Sequence, residues 1–323
     1  MKLIIPMAGK GTRLRPHTFN IPKPLVEFAG APMVAHVIDS VKKVKFEEII
    51  LIVDKDYPEL RTYLEKKYKV KITFIKQLEQ KGVGHAIYGA HSKLKKEEVL
   101  IIFADTLVEA DFSVLKEKNT EAVIWTKKVE DPRKFGVVYL ENDYITRLIE
   151  KPEVPDTDLA IVGLYYFKDS DVLFDSLKYI IDNNIKSKGE FMITDSFQYL
   201  INNGLKIKTG KINEWKDCGN YEALIEANKY LLKKIDVKTK PKSSVIIKPV
   251  HIGPGAQIKN SIIGPNVSIG KDAVVSDSRI TDSIIGKDAV VLNALLDKSI
   301  IGKNAKVNGK SQNLNIGEYC IIN

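Results

Sequence analysis

Apolar and polar positions follow two different periods over the first 235 residues. Residues 3–5, 48–53, 71–75 and 99–105 form short, nearly continuous apolar runs, which are typical of buried strands. Between these runs, residues 32–44 and 59–69 carry apolar side chains at helical spacing. Strands that alternate with helices of this length predict crossover connections and a mainly parallel sheet. We therefore expect a doubly wound, Rossmann-like α/β domain over residues 1–235.

Later parts of the same region add elements of a different kind. Residues 121–128, 136–140, 145–149 and 159–167 are short apolar segments that predict antiparallel strands inserted into the α/β domain. Two further helices are predicted, one that runs from a glycine-containing loop at 76–86 to residue 94, and one over 220–235.

The pattern changes after a lysine-rich linker at residues 236–245. Over residues 246–323, Ile-Gly pairs recur, and aliphatic residues repeat every five or six positions. Ile269, Ile285 and Ile301 are spaced by sixteen residues. Hexapeptides of this type predict a left-handed parallel β-helix, here of about four coils. Because such repeats cannot bury their faces alone, we expect this domain to stack on the preceding α/β domain or on another subunit. The exposed sheet edge of a β-helix favours a homo-oligomer.

Composition and charge exclude several classes of protein. The chain has 323 residues, 44% hydrophobic and 28% charged, with a net charge of +9. The lysines are spread over predicted helix faces without an arginine-rich arm, so we expect anionic small substrates and no nucleic acid. No apolar run approaches the ~20 residues of a membrane span, and no signal-peptide pattern is present, which predicts a cytoplasmic protein without membrane contact. Cys218 and Cys320 form no spacing motif for a disulfide framework or zinc.

The strongest candidate for chemistry is the loop that follows the first predicted strand. Glycines let backbone N–H groups approach an anion closely, and fixed cations nearby add charge that a polyphosphate can use. Such a loop at the carboxyl end of a first strand is where open α/β sheets bind ligands. The candidate phosphate-binding residues are Ala8, Gly9, Gly11, Thr12, Arg13 and Lys23.

Spacing separates this loop from two common phosphate loops. Lys10 precedes Gly11, which is the wrong order for a Walker A loop, and Leu14 stands where a dinucleotide fingerprint needs glycine. The pattern Gly-x-Gly-Thr-Arg-Leu-x-Pro, followed by Lys-Pro-Leu ten residues after the arginine, resembles the sugar-nucleotide pyrophosphorylases. These nucleotidyltransferases join a nucleoside triphosphate to a sugar 1-phosphate. The resemblance covers essentially the whole chain.

Two aspartates are candidate ligands of Mg²⁺. Asp105 ends a buried apolar run, and a carboxylate at that edge suits Mg²⁺, which takes one or two carboxylates and completes its shell with water and phosphate oxygens. Asp217 lies in a Trp-x-Asp-x-Gly segment. The resemblance implies that this segment supplies the second metal ligand.

Other segments resemble the family's substrate-binding motifs. The resemblance implies that Gln77 and Gly82 hold a pyrimidine base. It also implies that Gly136, Glu150 and Gly163 contact the sugar, while Lys151 meets the sugar phosphate. We therefore predict dTTP or UTP as the nucleotide and glucose 1-phosphate as the sugar substrate. N-acetylglucosamine and mannose phosphates stay open as alternatives. Departures from the commoner family loop, such as Met7-Ala8-Gly9, leave UTP open beside dTTP.

The implied reaction is Mg²⁺-dependent, in-line attack of the sugar phosphate on the α-phosphorus, with release of pyrophosphate. Arg13 would hold the β- and γ-phosphates, and Lys23 would bridge the α-phosphate and the sugar phosphate, so catalysis would be alignment and charge neutralisation. Two alternatives stay open. One is a catalytically silent regulatory subunit of the same architecture; the other is a hexapeptide acyltransferase, for which His251 is the one histidine in the repeats.

Overall fold

The computed structural model describes residues 1–9, 11–235, 241, 243–309 and 315–322. The chain folds into two compact units. The first contains Met1–Gly9 and Val37–Trp215, and the second contains Lys10–His36 and Lys216–Asn323. Most of the predicted linker, residues 236–240 and 242, lies outside the described residues, so the domain boundaries predicted from the sequence stay a prediction.

Six α-helices are described; four overlap segments in which a helix is predicted, and the two over residues 170–182 and 193–202 were not predicted. Their bounds are α1 Met33–Ser40, α2 Pro58–Lys67, α3 Val83–Tyr88, α4 Ser170–Asp182, α5 Ile193–Asn202 and α6 Tyr221–Leu232. The prediction that α3 continues to residue 94 is wrong: Gly89 caps the helix, and a separate 3₁₀ turn follows at His91–Lys93. None of these helices has both the length and the apolarity that crossing a membrane requires.

Twelve strands precede the repeats. They are β1 Lys2–Pro6, β2 Glu27–Phe28, β3 Ala31–Pro32, β4 Glu48–Val53, β5 Lys71–Lys76, β6 Val99–Ile102, β7 Thr106–Ala110, β8 Ala122–Lys128, β9 Gly136–Glu141, β10 Tyr144–Glu150, β11 Leu159–Phe167 and β12 Ile207–Asp217. The main sheet has the order β5-β4-β1-β6-β11-β8-β12-β10-β9, with β7 paired to β12.

This sheet has a parallel half and a mixed half. Strands β5, β4, β1 and β6 are parallel, as the crossover pattern predicts. β11 then joins antiparallel to β6, so the inserted antiparallel strands extend the same sheet. The core packs around fully buried side chains such as Trp125, Tyr165 and Phe197, together with the aliphatic residues of β1, β4 and β6.

The repeats form the expected parallel β-helix, with three sheets of four, five and five described strands. Its strands are β13 Val245–Ile246, β14 Val250–Ile252, β15 Gln257–Lys259, β16 Ile262–Ile263, β17 Val267–Ile269, β18 Val274–Ser276, β19 Arg279–Thr281, β20 Ile284–Ile285, β21 Val290–Leu292, β22 Leu295–Asp297, β23 Ile300–Ile301, β24 Lys306–Asn308, β25 Asn315–Ile316 and β26 Ile321–Ile322. Residues 310–314 and 323 of the predicted domain lie outside the described residues.

The repeat pattern has a direct structural cause. Ile269, Ile285 and Ile301 stack in parallel register and are buried, because sixteen residues make one coil here. Corners between the strands need a left-handed backbone conformation, and Asn and Asp tolerate it better than most residues. Asn266, with a φ of 60°, and Asp282, with a φ of 46°, occupy one such corner in successive coils.

Candidate functional site

The first unit carries the carboxyl end of β1, where the predicted phosphate loop begins. The Met7 amide donates to the Ile52 carbonyl at 2.8 Å, which extends the pairing of β1 with β4 beyond the strand. Gln80 Nε2 donates to the Ala8 carbonyl at 2.7 Å. Gly9 is exposed, and a Cβ built on it would meet nothing within 4 Å. Hydrogen bonds therefore fix the backbone at Met7 and Ala8, whereas the backbone at Gly9 is accessible to a ligand.

The predicted base-binding residues Gln77 and Gly82 lie together. Gln77 Nε2 is 3.5 Å from the Gly82 carbonyl and 3.4 Å from His85 Nδ1. Gly82 has a φ of +114°, and a Cβ there would lie 2.6 Å from the Phe191 carbonyl oxygen. Only glycine fits this position, because the chain passes so closely against residue 191.

A cavity of about 290 Å³ borders Gln77 and His85, with Ile52, Ile75 and Gly89 among its other lining residues. Burial, and after it the charge of Lys81, lowers the pKa of His85. Sequence reasoning missed His85, although it lies on the first turn of the helix that the glycine loop opens.

Asp105 lies in the tight turn between β6 and β7, and the backbone around it is held by β11. The Phe103 amide donates to the Gly163 carbonyl at 2.9 Å, and Thr106 Oγ1 donates to the Val162 carbonyl at 3.1 Å. Gly163 has a φ of +82° and lies where the register of β11 against β8 shifts. Gly163, predicted as a sugar contact, therefore also supports the turn that carries the candidate metal ligand.

The predicted sugar-binding residues Gly136, Glu150 and Lys151 lie side by side. Gly136 and Glu150 are opposite each other on β9 and β10. Thr194 Oγ1 donates to Glu150 Oε2 at 3.1 Å, and a Cβ on Gly136 would lie 3.1 Å from the same oxygen. Glu150 is 9% exposed, while Lys151, 47% exposed, places Nζ 3.5 Å from Glu150 Oε1. A largely buried carboxylate, the backbone of a glycine and an exposed ammonium group thus lie together.

Two buried polar atoms near this group have no hydrogen-bond partner among the described residues. They are Asp195 Oδ2 and Trp215 Nε1. Asp195 Oδ1 accepts from Ser187 Oγ at 2.7 Å, and burial raises the pKa of this carboxyl group. The Trp215 ring packs edge-on against Phe135, with centroids 4.9 Å apart. Trp215 begins the Trp-x-Asp-x-Gly segment, but that motif does not indicate that its Nε1 lacks a partner.

The second unit carries the rest of the signature loop. Gly11 has a φ of +59° and starts a 3₁₀ turn, Thr12–Leu14. Thr18 Oγ1 donates to the Gly11 carbonyl at 2.8 Å, and a Cβ on Gly11 would lie 2.9 Å from Lys23 Cβ. The turn therefore lies directly against Lys23, which the absence of a side chain at Gly11 allows.

Arg13 and Asp217 also lie together in this unit. A Cβ on Gly219 would be 2.8 Å from Asp217 Oδ1 and 3.2 Å from Arg13 Nη2. Arg13 and Thr12 are exposed, whereas Lys23 and Asp217 are half-buried. The guanidinium of the loop and the second candidate metal ligand thus flank the same glycine.

The donor atoms of Asp105 and Asp217 fit Mg²⁺ in chemical type. Each is a half-buried carboxylate at the end of a strand or in the turn beyond one, and Mg²⁺ binds through one or two such groups plus water and phosphate oxygens. Within the described residues, no group of three or more His, Cys, Asp or Glu side chains could hold a metal by itself.

His251, the residue on which an acyltransferase would depend, is packed against backbone. A Cβ on Gly30 would lie 2.5 Å from His251 Cε1, and burial lowers the pKa of the imidazole. This environment gives His251 a packing role in the second unit.

A family model for nucleotidyl transferases matches residues 2–234. The chain belongs to the nucleotidyl transferase family. The bifunctional protein GlmU of Methanocaldococcus jannaschii is 37% identical over 77% of this chain and 59% of its own length. The glucose-1-phosphate thymidylyltransferase of Streptomyces antibioticus is 30% identical over 87% of this chain and 81% of its own length. The chain thus spans about three fifths of GlmU and most of the thymidylyltransferase.

Solved structures of this nucleotidyl transferase family agree on the fold. A putative glucose-1-phosphate thymidylyltransferase from Bacillus anthracis has a TM-score of 0.63 and 25% identity, over 74% of this chain and 98% of that one. A UDP-glucose pyrophosphorylase crystallised with UDP-glucose has a TM-score of 0.59 and 23% identity, over 72% of this chain and 99% of that one. The resemblance to sugar-phosphate nucleotidyltransferases and the predicted fold class are therefore confirmed.

Proposed function

We propose that this protein joins a nucleoside triphosphate, dTTP or UTP, to a sugar 1-phosphate, glucose 1-phosphate in the first instance, and releases pyrophosphate. The observation that carries the proposal is the group formed by Gly136, Glu150, Lys151 and Thr194. The largely buried carboxylate of Glu150, which accepts a hydrogen bond from Thr194 at one oxygen, is suited to accept from sugar hydroxyls. The neighbouring ammonium group is suited to a phosphate.

In the proposed reaction, an oxygen of the sugar phosphate attacks the α-phosphorus of the triphosphate. A new P–O bond forms, and the bond from the α-phosphorus to the bridging oxygen of the β-phosphate breaks, so that pyrophosphate leaves with the electron pair. Mg²⁺, held by Asp105 and Asp217, would supply neutralisation of phosphate charge. Lys151 orients the sugar phosphate, and Lys23 offsets repulsion between that phosphate and the α-phosphate.

The remaining candidate residues bind the triphosphate. Arg13 holds the β- and γ-phosphates, since a guanidinium presents two parallel N–H donors to phosphate oxygens. The backbone at Ala8, Gly9, Gly11 and Thr12 donates to the same phosphates. Gln77 and Gly82 hold the base, which the proposal assigns as thymine or uracil.

The first test is pyrophosphate release in the presence of Mg²⁺, with five nucleoside triphosphates crossed against glucose, N-acetylglucosamine and mannose 1-phosphates. Release confined to dTTP or UTP supports the role of Gln77 and identifies the sugar. Release with ATP or GTP keeps the reaction and overturns the base assignment. Absence of release from folded protein in every combination overturns the activity and favours a regulatory subunit.

A matched pair of substitutions tests the loop. Arg13→Ala should lower kcat/KM by at least about 100-fold, on the scale of losing one charged group that stabilises the transition state. Arg15 is also an exposed cation on the same loop, and its guanidinium lies over the Phe19 ring, 5.1 Å from the ring centroid. Arg15→Ala should keep activity within a few-fold, so equal losses in the two variants would contradict the assigned role of Arg13.

We also propose that the protein is a homo-oligomer that associates through its β-helix. Val245, Ile262 and Leu295 point outward from one sheet of the β-helix, in register with Arg279, and are 57%, 40% and 44% exposed. Light scattering on the full chain tests this: Ile262→Lys should shift the mass toward the monomer, and a monomeric wild type would contradict the proposal.

A further inference from the structure

The loop that carries Arg13 and Lys23 is structurally part of the β-helix unit. Residues 10–36 belong to the same compact unit as α6 and the β-helix, although the chain enters this segment directly from β1. In the part of the loop after Lys23, β2 and β3 form a two-stranded hairpin with Glu27 opposite Pro32 and Phe28 opposite Ala31. Its two-residue turn is Ala29–Gly30.

Two buried side chains from other elements converge on this turn. The Ala29 amide donates to Asn228 Oδ1 and to Ser268 Oγ, each at 3.0 Å. The Ser268 hydroxyl donates to Asn228 Oδ1, and Asn228 Nδ2 donates to the Asn266 carbonyl at 3.3 Å. Asn228, on α6, is fully buried, and Ser268, in the middle of β17, is 3% exposed.

The turn needs such support. Ala29 has a φ of 46°, in the left-handed region that is strained for a residue with a Cβ. A buried backbone N–H that lacked acceptors would add a desolvation penalty to that strain. Asn228 and Ser268 supply both acceptors, so they stabilise one conformation of the hairpin turn.

Two backbone hydrogen bonds between residues close in sequence connect this hairpin to Lys23. The Met33 amide donates to the Val26 carbonyl, and the Val26 amide donates to the Lys23 carbonyl, each at 3.0 Å. Lys23 itself lies in a 3₁₀ turn between Pro22 and Leu25, with a second proline at position 24. The prolines restrict the backbone, so a displacement of the hairpin is transmitted to Lys23 with little local compensation.

We propose that Asn228 and Ser268 are positioning residues for Lys23, through which α6 and the β17 coil of the β-helix set the geometry of the phosphate-binding loop. The inference rests on the proposed function for its catalytic consequence, because Lys23 is there assigned to the two reacting phosphates. Its structural part, that β17 orders the hairpin, stands independently of that assignment.

The β-helix offers a matched control for the loss of one buried serine hydroxyl. Ser283 is fully buried, donates to the Thr281 carbonyl and accepts from the Ser299 amide at 2.9 Å. All three residues belong to the β-helix. Ser268→Ala and Ser283→Ala therefore remove the same group from the same kind of site, but the Ser268 hydroxyl contacts the hairpin turn, whereas these two bonds of Ser283 stay within the β-helix.

The first experiment is hydrogen–deuterium exchange of the full-length chain, followed in peptides that cover residues 24–33. We expect exchange there to be at least about tenfold faster in Ser268→Ala and unchanged in Ser283→Ala, with wild-type circular dichroism in both. Equal exchange in the two variants would overturn the inference. If either alanine variant does not fold, Ser268→Cys and Ser283→Cys, which are nearly isosteric with serine, give the same comparison.

The second experiment measures pyrophosphate release by the same variants. Ser268→Ala should lower kcat by at least tenfold with a smaller change in KM, because a misplaced Lys23 weakens alignment more than nucleotide binding. Ser268→Thr, which restores the hydroxyl, should recover most of that loss. Faster exchange without loss of kcat would overturn the link to Lys23. Absence of activity in wild type would overturn the proposed function and leave the exchange result to decide the structural part.

Discussion

Replacing Gly163 with alanine should destabilise the protein, because Gly163 packs against the turn that carries Asp105. Gly163 has a φ of +82°, which costs an alanine roughly 1–2 kcal/mol in strain. Its Cβ would also lie 2.8 Å from Phe103 Cδ2 and 3.1 Å from Thr106 Oγ1. Overpacking of this kind costs about 1–3 kcal/mol. Gly163→Ala should therefore lower the free energy of unfolding by about 2–5 kcal/mol.

Gly204→Ala is the matched control. Gly204 has a φ of +89°, and a Cβ there meets nothing within 4 Å, so the substitution introduces the strain without the clash. We expect it to cost about 1–2 kcal/mol. Urea unfolding at 25 °C, with the midpoint and slope fitted for each variant, measures both values.

The difference between the two variants isolates the contact with Phe103 and Thr106. Gly163→Ala should also reduce turnover more than Gly204→Ala does, because the Phe103 amide is bonded to the Gly163 carbonyl two residues before Asp105. Equal destabilisation by the two substitutions would refute the overpacking argument.

Three further predictions concern charge and capping. Glu48→Gln should cost about 1–3 kcal/mol, since its 6% exposed carboxylate faces two lysines at 2.9 and 3.4 Å; Glu65→Gln, at an exposed pair, should cost under about 0.5 kcal/mol. Burial raises the pKa of Glu48, but its hydrogen bonds and neighbouring cations lower that pKa overall. The stabilisation that the Glu48 carboxylate provides should therefore be lost as pH falls below about 4, and acid unfolding of the two variants measures this loss. Asn220→Ala removes an N-cap from α6 and should cost about 1 kcal/mol in urea unfolding, whereas Asn220→Asp should keep it. Burial lowers the pKa of His85, so its imidazole becomes protonated only below about pH 6.5. Protonation ends any acceptor role of Nδ1 beside Gln77, so KM for the nucleotide should rise as pH falls below about 6.5 in wild type and stay flatter in His85→Phe.

Elements whose stability depends on burial were predicted well from the sequence. The apolar segment 159–167 coincides with β11, and the sixteen-residue spacing of the isoleucines matches their parallel pairing in the β-helix. In β11 every residue after the first is buried, which produces a continuous apolar run, whereas the isoleucines are buried once per coil of the β-helix. In both cases the apolar pattern follows burial, so the sequence predicts the element.

Features that depend on distant contacts could not be predicted. Gly163 lies in an apolar run that gives no sign of the register shift at this point of β11, or of the close approach of Phe103 and Thr106. Similarly, the hairpin turn at Ala29 is held by Asn228 and Ser268, which are 199 and 239 residues away along the chain. Neither Asn228 nor Ser268 lies in a recognisable sequence motif, because the role of each depends only on its position in the folded chain.

Helix α6 explains how one unit can support two parts of the candidate site. It contacts three places on the β-helix: Asn228 meets Ser268, Lys229 Nζ lies 3.1 Å from Asp282 Oδ1, and the Tyr221 hydroxyl donates to the carbonyl of Lys298. These contacts span the helix from its first residue to its third turn, so they fix its position as well as its rotation.

Asp217 precedes the N-cap of this helix by three residues, and Gly219 between them leaves no room for a side chain beside the Asp217 carboxylate. The start of α6 therefore restricts where Asp217 can lie. Lys23 is restricted by the hairpin that Asn228 and Ser268 hold. Because the same helix provides both restraints, a change in the β-helix that moved α6 would displace the candidate metal ligand and the candidate phosphate-binding lysine together. Loss of Ser268 alone should affect the lysine first.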